Sequence, residues 1–230
     1  MHEARDLFQS LKTNSTPNRP CLSIPVGFPV EAFMRPVSTI AGKLNDNDIR
    51  VLTEWRNRFV HSFLTEFEAT DARTATWLTD IIGPDPTKIM FMLDDLSSQT
   101  IGYLGLGFID WERSEGEADA AVRGVTAAPG IMSRAFLTLL GWAYDQLGLK
   151  IIRGRVRSDN PSLRFFLKLA TETKRVPLRR IEEPGMIRWV PDETLDETLT
   201  SSSLSLVHLV FDRELSLAAS ARARASQYQS

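Results

Sequence analysis

The chain has a single cysteine, Cys21, among its 230 residues. One cysteine excludes an internal disulfide, so the disulfide-rich secreted class is excluded and a reducing cytoplasm is the expected compartment. Glycine and proline are also few, with 13 and 12 residues, which excludes collagen-like and low-complexity chains. The remaining composition, 43% hydrophobic and 24% charged, is typical of a globular protein.

Neither sign of charge dominates, and long apolar runs are missing. The 27 Lys and Arg residues face 29 Asp and Glu residues, so the chain lacks the bulk positive charge that holds nucleic acid. The apolar run Ile89–Leu93 falls far short of the roughly 20 residues that span a bilayer. The segment Met1–Lys12 mixes charged and apolar residues, unlike a signal peptide. The sequence therefore predicts neither a nucleic-acid partner nor a membrane partner.

Residues suited to metal binding or nucleophilic catalysis are scarce. The histidines His2, His61 and His208 lie far apart without the spacing of metal ligands, and each is expected to be a surface or core residue. No G-x-S-x-G motif is present, and Cys21 has no histidine near it. The sequence therefore predicts no metal cofactor.

Both ends of the chain differ in composition from its middle. Residues 13–30 contain four prolines, so we expect an extended or flexible arm over residues 1–30. The tail Ser216–Ser230, rich in Ala, Ser and Arg, is compatible with a helical extension or with disorder. Residues 31–215 are expected to form one domain.

Hydrophobic periodicity in the middle of the chain predicts alternating helices and strands. The expected strands are 33–37, 88–93, 100–109, 117–122, 151–156, 176–181 and 204–211, and the expected helices are 45–58, 74–82, 131–147 and 161–170. This order predicts a mixed α/β (α+β) fold, with one central sheet of about six to seven strands and helices on both faces.

Four segments in this order resemble the GCN5-related N-acetyltransferase (GNAT) superfamily. They are the helix end Trp55–Asn57, the strand Ile101–Leu106, the loop and helix start Ala121–Met132, and the segment Leu147–Asn160. Each segment alone is a weak signal, whereas their order and spacing together are specific. The resemblance covers roughly Phe33–Asp212 and implies an enzyme that moves an acetyl group from acetyl-CoA to a primary amine.

The loop before the longest helix is the expected site of the acetyl-CoA pyrophosphate. Gly130 opens a helix whose first backbone N–H groups lack intrahelical partners and whose dipole attracts anions. We expect Ile131, Met132 and Ser133 to offer these amides and Arg134 to reach a phosphate. Taken alone, this segment is also compatible with a plain helix start that has Arg134 at the surface.

The resemblance further implies that the pantetheine arm of CoA lies between two splayed parallel strands, joined by the longest helix. It implies hydrogen bonds to the backbone near Ala121, Val122 and Arg123. It also implies that Asn160 contacts the pantetheine or the amine, although Asn160 is equally expected as the cap of the helix that follows it.

The loop departs from the pattern of the superfamily. Its usual sequence is Gln or Arg, two residues, Gly, one residue, then Gly or Ala. Here Gly130 fits the first glycine, but Ala127 and Met132 occupy the two other positions. Arg123, further upstream in a longer loop, is the expected substitute for the missing cation.

A second departure concerns the proton that the leaving group takes up. Many members carry a Tyr in the next helix that protonates the departing thiolate, but here Phe166 or Leu167 occupies that position. A thiol pKa of about 8.5 makes the thiolate a tolerable leaving group near neutral pH. We therefore expect a modest cost, with water or Ser158 as the alternative proton donor.

A base must take a proton from the attacking amine. Glu117 and Asp119 lie two residues apart on a strand and so point to one face. We expect Glu117 to be the base, with Asp119 as the second candidate. The alternative is that both are solvated or pair with Arg153 or Arg155 on the neighbouring strand.

Three residues are candidates for the acceptor pocket, namely Trp55, Arg56 and Trp111. The helical spacing of Trp55 also fits the core. Arg56 suits an acceptor that carries a carboxylate or a phosphate. Because no acidic trench for a basic protein tail stands out, a small primary amine such as a nucleotide-linked amino sugar is expected.

Two other functions are compatible with the sequence. The half-present loop motif and the missing Tyr favour a non-catalytic acyl-CoA-binding or interaction domain. The other alternative is a protein N-terminal or lysine acetyltransferase that docks its partner through the proline-rich arm. The stretch Asp192–Ser203 fits either an acceptor lid or a contact of a homodimer.

Overall fold

The computed structural model of the protein describes residues 2–13, 23–194 and 204–227. The first part contains α1 (His2–Thr13), β1 (Ile24–Val26), β2 (Ala32–Pro36), α2 (Asp46–Arg58), a 3-10 turn (Val60–Ser62), β3 (Thr65–Phe67) and α3 (Asp71–Thr76), which continues into a π-helical turn (Trp77–Ile82). The second part contains β4 (Ile89–Asp95), β5 (Thr100–Asp110), β6 (Glu115–Arg123), α4 (Ile131–Asp145), β7 (Ile151–Arg157), α5 (Leu163–Phe166), β8 (Ala170–Glu183), β9 (Met186–Pro191), β10 (Ser205–Phe211) and α6 (Arg213–Gln227).

The strands follow one another in a single hydrogen-bonded order, β1-β2-β4-β5-β6-β7-β10-β8-β9-β3. Each neighbouring pair is antiparallel except β6 and β7, which are parallel. The mixed α/β class is confirmed. The strand count is ten rather than six to seven. Strands β1 and β3 have three residues each and are too short to show a period of two, and β9 is the third strand that the sequence did not predict.

Two hydrophobic cores cover opposite faces of the sheet. Strand β4 contributes to both, since Phe91 packs in the core under α4 and Met92 in the core under α2. Helix α4 buries one stripe of its surface, as its apolar spacing predicts. Helix α2 begins at its predicted cap, where the side chain of Asn45 accepts hydrogen bonds from the backbone N–H groups of Asn47 and Asp48.

Strands β6 and β7 separate soon after they begin. Their parallel pairing joins Glu115–Glu117 to Ile151–Arg153 and goes no further within the described residues. Strand β6 continues to Arg123 while paired with β5 on its other side. The prediction of parallel neighbours joined by the longest helix is confirmed. Beyond Glu117, the edge of β6 that faces β7 therefore leaves backbone groups open to a cleft, which we call the β6–β7 cleft.

The N-terminal segment is ordered by its own hydrophobic side chains. In α1, Phe8 and Leu11 are buried in the core under α4. The Nζ atom of Lys12 donates to the carbonyl of Ile82 at 2.9 Å and to that of Asp85 at 2.5 Å. The prediction of an extended arm over residues 1–30 is therefore wrong for α1 and β1, and residues 14–22, with Cys21, lie outside the described residues.

The C-terminal third also differs from the prediction. The helix expected over 161–170 is reduced to the four residues of α5, because β8 already begins at Ala170. Strand β9, which the sequence did not predict, pairs with β8. The tail forms α6 through Gln227, so disorder is the wrong alternative there. Residues 195–203 lie outside the described residues, and the lid or homodimer contact in this stretch stays a prediction.

Candidate active site

The start of α4 forms one wall of the β6–β7 cleft. Gly130 has a φ of +76°, a left-handed conformation that glycine adopts without steric cost. The first intrahelical hydrogen bond joins the N–H of Arg134 to the carbonyl of Gly130 at 3.0 Å. The N–H groups of Met132 and Ser133 therefore have no intrahelical acceptor, whereas the N–H of Ile131 is already bound to Ala128.

The two arginines of this wall differ in their freedom. The Nε and Nη2 atoms of Arg134 both lie 2.6 Å from Oε2 of Glu31, and its Nη1 donates to the carbonyl of Pro129 at 3.2 Å. Arg134 therefore fastens the loop to the turn before β2, and its guanidinium is not free for a phosphate. Arg123, at the end of β6, is exposed and makes no side-chain hydrogen bond with the rest of the described chain.

The cleft offers what an acyl-CoA requires. The open edge of β6 from Ala118 to Arg123 supplies backbone donors and acceptors, and Ala120 there has a left-handed φ of +55° where the register with β5 shifts. Two free amides and the dipole of α4 supply an anion site at its end. Asn160 accepts a hydrogen bond from the N–H of Ser162 at 2.9 Å, within the turn before α5. The N-cap of α5 is Ser162, so the expectation that Asn160 caps this helix is wrong. These features fit acetyl-CoA through backbone groups rather than through the usual loop side chains.

Glu117 lies at the last paired position before the cleft opens. Nε of Arg155 donates to both of its carboxylate oxygens, at 3.0 and 2.9 Å, so the two residues form the cross-strand pair that was the alternative expectation. Burial raises the pKa of the Glu117 carboxyl, and the neighbouring Arg155 opposes this rise. Arg155 in turn stacks over Phe108, with its Cζ atom 4.9 Å from the ring centroid.

Asp119, two residues further along β6, faces a cavity of about 220 Å³. The cavity is lined by Trp77, Ile82, Lys88, Ile89, Met90, Gly105, Leu106, Asp119 and Ala120. It combines a carboxylate and an indole with an apolar floor. Trp77 belongs to the π-helical turn, and no spacing in the sequence connects it with Asp119.

Two of the predicted acceptor residues lie elsewhere. Trp55 is 1% exposed and stacks on Tyr103, with ring centroids 6.2 Å apart. Trp111 packs edge-on against Phe8 at 5.3 Å and donates to the carbonyl of Pro86, in the core on the opposite face. Neither indole lines the cavity at Asp119, and the role of both residues in acceptor binding stays a prediction.

Arg56, the third predicted acceptor residue, is enclosed by aromatic rings. Its Cζ atom lies 3.8 Å from the ring centroid of Phe63 and 4.7 Å from that of Phe67. Its Nη2 donates to the carbonyl of Thr65, whereas its buried Nη1 has no hydrogen-bond partner in the described part of the chain. Burial lowers the pKa of this guanidinium.

A polar cluster that the sequence did not predict surrounds Glu66 of β3. Its carboxylate accepts hydrogen bonds from Nδ1 of His61 at 2.8 Å, from Nε1 of Trp189 at 2.5 Å and from Nη1 of Arg157 at 3.3 Å. Burial alone would raise the pKa of Glu66, but these three donors outweigh it and lower the pKa below its usual value. Arg157 also binds both carboxylate oxygens of Asp159. We call these five residues the Glu66 cluster.

No group of three or more His, Cys, Asp or Glu side chains comes together in the described residues to hold a metal ion. None of the helices described is both long and apolar enough to cross a membrane.

Comparisons with known proteins agree on one family. The family model for the acetyltransferase (GNAT) domain matches residues 42–170. A spermidine N-acetyltransferase SpeG chimera from Vibrio cholerae and hSSAT is 15% identical with a TM-score of 0.56, covering 81% of this chain and 98% of its own. FdhC, a nucleotide-linked sugar GNAT in its apo form, is 12% identical with a TM-score of 0.57, covering 85% and 92%. At these identities the two structures show a common fold alone. No curated protein matches the chain.

Proposed function

This chain belongs to the acetyltransferase (GNAT) domain family and is an N-acetyltransferase, and from that premise we propose that its acceptor is a small molecule with a primary amine. The observation that carries the proposal is the β6–β7 cleft, which has free helix amides at one end and carboxylates of β6 on the opposite face. The cavity at Asp119 has the size of a small organic group rather than of a folded protein surface.

Acetyl-CoA, when bound, supplies the acetyl group as a thioester. In our proposal the N–H groups of Met132 and Ser133, together with the exposed Arg123, bind its pyrophosphate. The open edge of β6 near Ala121 and Val122 holds the pantetheine arm through backbone hydrogen bonds. Arg134 has an indirect role, because its ion pair with Glu31 fixes the loop that presents these amides.

Asp119 and Trp77 form the proposed acceptor site. A carboxylate and an indole are both favourable partners for a cation, so Asp119 and Trp77 can bind an ammonium group of the acceptor, while Lys88 in the same lining weakens this attraction. Spermidine, the substrate of one structural relative, has this chemistry. Free amino sugars fit the same site through their ammonium group.

A second candidate is the nucleotide-linked amino sugar that the sequence favours. The buried and unpartnered Nη1 of Arg56 provides one donor for an acceptor phosphate or carboxylate. The relative named as a nucleotide-linked sugar GNAT agrees with this class. The two candidates differ in charge, so one panel of amines separates them.

Glu117 is the proposed base. Its raised pKa brings the carboxyl closer to neutral pH, where a general base works best. It lies on the strand edge where the cleft opens, beside the proposed acceptor site. In our proposal its carboxylate takes one proton of the attacking amine while Arg155 keeps the carboxylate in place.

The first experiment is thermal unfolding with and without saturating acetyl-CoA, with NAD as the control. At a hundredfold excess over Kd, binding stabilises the protein by about 2.7 kcal/mol, or about 5–10 °C for a chain of this size. An amine panel of spermidine, glucosamine, a nucleotide-linked amino sugar and a lysine peptide then identifies the acceptor. Stabilisation without turnover of any amine would favour the acyl-CoA-binding module instead, and turnover of the peptide alone a protein acetyltransferase.

The role of Glu117 has a matched control on the same strand. Glu115 pairs with Arg153 one cross-strand step earlier, at 2.9 Å, just as Glu117 pairs with Arg155. We expect E117Q to lower kcat by about 10²–10⁴-fold with acetyl-CoA affinity unchanged, and E115Q to leave kcat unchanged. An unaltered kcat in E117Q would reject this assignment.

A further inference from the structure

The segment Phe59–Glu66, which we call the bridging segment, crosses the open end of the β6–β7 cleft. At its start, the guanidinium of Arg58 donates to the carbonyl of Gly124, the residue that follows β6. At its end, Arg157 of β7 donates to the carbonyl of Phe63 at 3.1 Å and to Glu66. The segment is therefore fastened to both separated strands.

The bridging segment lies on the face where a CoA thioester emerges. Helix α4, whose first turn holds the pyrophosphate in our proposal, packs on the face that buries Val156. The side chain of Arg157, next to Val156 on β7, points to the opposite face. Continuing the register of Glu117 with Arg153 brings Arg157 level with Ala121, where the backbone of β6 is open. A pantetheine arm that enters beside α4 and passes between the strands therefore ends beneath the bridging segment.

His61 is the group of this segment that can exchange protons. Its Nδ1 is hydrogen-bonded to Glu66 at 2.8 Å, while its side chain is 85% exposed. Glu66 is 9% exposed and is itself held by Trp189 and Arg157. A buried carboxylate at Nδ1 fixes the orientation of an imidazole. Nε2 of His61 is then left as an exposed proton donor on the bridging segment.

The cleft has no evident alternative donor on the helix after β7. Helix α5 contributes Leu163, Arg164, Phe165 and Phe166, none of which carries a hydroxyl or an imidazole. The thiolate released at the end of the reaction still has to acquire a proton, and a positioned acid accelerates that step.

We propose that His61 is the catalytic acid that protonates the CoA sulphur, and that Glu66 is its positioning residue. This rests on the proposed acetyl transfer. As the bond between the acetyl carbon and the amine nitrogen forms, the bond between that carbon and sulphur breaks. The sulphur takes a proton from Nε2 of His61, Glu117 holds the proton lost by the amine, and the exposed imidazole is reprotonated from water.

Glu66 is the nearest charged group to His61. Glu66 of β3 hydrogen-bonds the imidazole directly, and Arg157 and Asp159 lie behind Glu66 at the end of β7. Arg56 of α2 interacts electrostatically with Glu66. Replacing Glu66 by Gln keeps the shape of the side chain and removes the nearest negative charge, so E66Q tests the positioning role of Glu66.

The decisive measurement is an NMR titration of the histidine side chains, because it needs no turnover. The chain has three histidines, and H2Q, H61Q and H208Q assign them. We expect the His61 resonances to differ between the complexes with CoA and with desulfo-CoA, because only CoA brings a sulphur beside the imidazole. Identical His61 resonances in the two complexes, or no effect of either ligand, overturn the proposal.

Kinetics supply the second readout. We expect H61Q to lower kcat about 10²-fold, to leave the KM for acetyl-CoA unchanged, and to lose the alkaline limb of the pH profile. The exposed His2 provides the control, H2Q, with an unchanged profile. E66Q is expected to lower kcat while the KM for acetyl-CoA is unchanged and the alkaline limb is kept, a combination that a merely structural role of Glu66 would not produce. An H61Q profile identical to that of the parent would reject the assignment.

The two proposals fail in different ways. If the parent protein acetylates no amine, the proposed acceptor class is wrong. The comparison of CoA with desulfo-CoA at His61 still tests whether His61 is the catalytic acid. If amines are acetylated and no difference is seen between the two ligands, the assignment of His61 as the acid is rejected, and the proposed transferase function is unaffected.

Discussion

The two sides of the β6–β7 cleft are built in different ways. On the CoA side, the important groups are close in sequence, because Gly130 and the amides of Met132 and Ser133 belong to one loop and one helix turn. On the acceptor side, the Glu66 cluster gathers residues from three distant parts of the chain, including His61 and Trp189. The CoA side therefore depends on local backbone geometry, whereas the Glu66 cluster depends on how the whole sheet curves. Single substitutions should therefore affect either acetyl-CoA binding or the acceptor side, but not both.

The largest effect is expected where α2 on the acceptor side meets the end of β6. A Cβ atom at Gly124 would lie 2.0 Å from the ring of Trp55, so G124A must displace a buried indole. We expect a loss of about 1–3 kcal/mol in the free energy of unfolding, measured by urea denaturation. G141A is the control, because nothing lies within 4 Å of a Cβ there and α4 gains about 0.5–1 kcal/mol. Equal stability of G124A and the parent would contradict this packing.

The second largest effect is expected on the binding of the acceptor amine alone. D119N removes the carboxylate that faces the acceptor cavity. Losing a hydrogen bond to a charged group costs about 1.5–3 kcal/mol, so the KM for a cationic amine should rise about 10–100-fold, with acetyl-CoA affinity unchanged. D110N, at the exposed end of β5, is the control. A rise in the Kd of acetyl-CoA in D119N would mean that the two sides are not separable.

A substitution on the CoA side should weaken acetyl-CoA binding and leave amine binding unchanged. G130A forces a residue with a Cβ into a φ of +76°, at a cost of about 1–2 kcal/mol, and shifts the amides of α4. We expect weaker acetyl-CoA binding by calorimetry and an unchanged KM for the amine. G185A has a similar φ of +74° far from the cleft, with nothing within 4 Å of the new Cβ, and should lose stability without losing CoA affinity. Unchanged CoA affinity in G130A would count against the pyrophosphate site.

The smallest effect is a dependence of stability on pH. The folded pKa of Glu66 lies below its usual value of 4.5. Its ionised form therefore stabilises the fold above the unfolded pKa, and this contribution disappears as the pH falls through the folded pKa. We expect E66Q to be less stable than the parent at pH 7 and the difference to shrink below about pH 4. The exposed Glu68 provides the control variant, E68Q, and a pH-independent difference in E66Q would refute the charge argument.

The same contrast explains what could be read from the sequence. Strands β4 to β7 and helix α4 are long enough for their hydrophobic periods to be recognised, and Gly130 marks the helix start by local chemistry. The Glu66 cluster depends on β3, with three residues, and on β9, which the sequence did not predict. No local signal in the sequence brings His61, Glu66 and Arg157 together, because only the complete sheet does so.

The predicted acceptor residues show the limit of single-residue reasoning. Trp55 and Trp111 were chosen for their type, but an indole is as useful to a core as to a pocket. Which of the two roles applies depends on the elements packed above, here Tyr103 of β5 and Phe8 of α1. Glu117 and Asp119 were chosen for their spacing on a strand, and both do lie at the cleft or its cavity. Their chemical roles stay predictions.

The ammonium of Lys12 has a practical consequence for anyone who shortens this protein. Because α1 is separated from β1 by a proline-rich stretch, it resembles a dispensable leader that a designer would trim before crystallisation. Removing α1 would abolish the contact of Phe8 with the ring of Trp111. It would also leave the carbonyls of Ile82 and Asp85 without the buried ammonium that donates to them. The loop so released leads directly into β4 and borders the acceptor cavity. A fusion partner or affinity tag is therefore better attached at the other end of the chain.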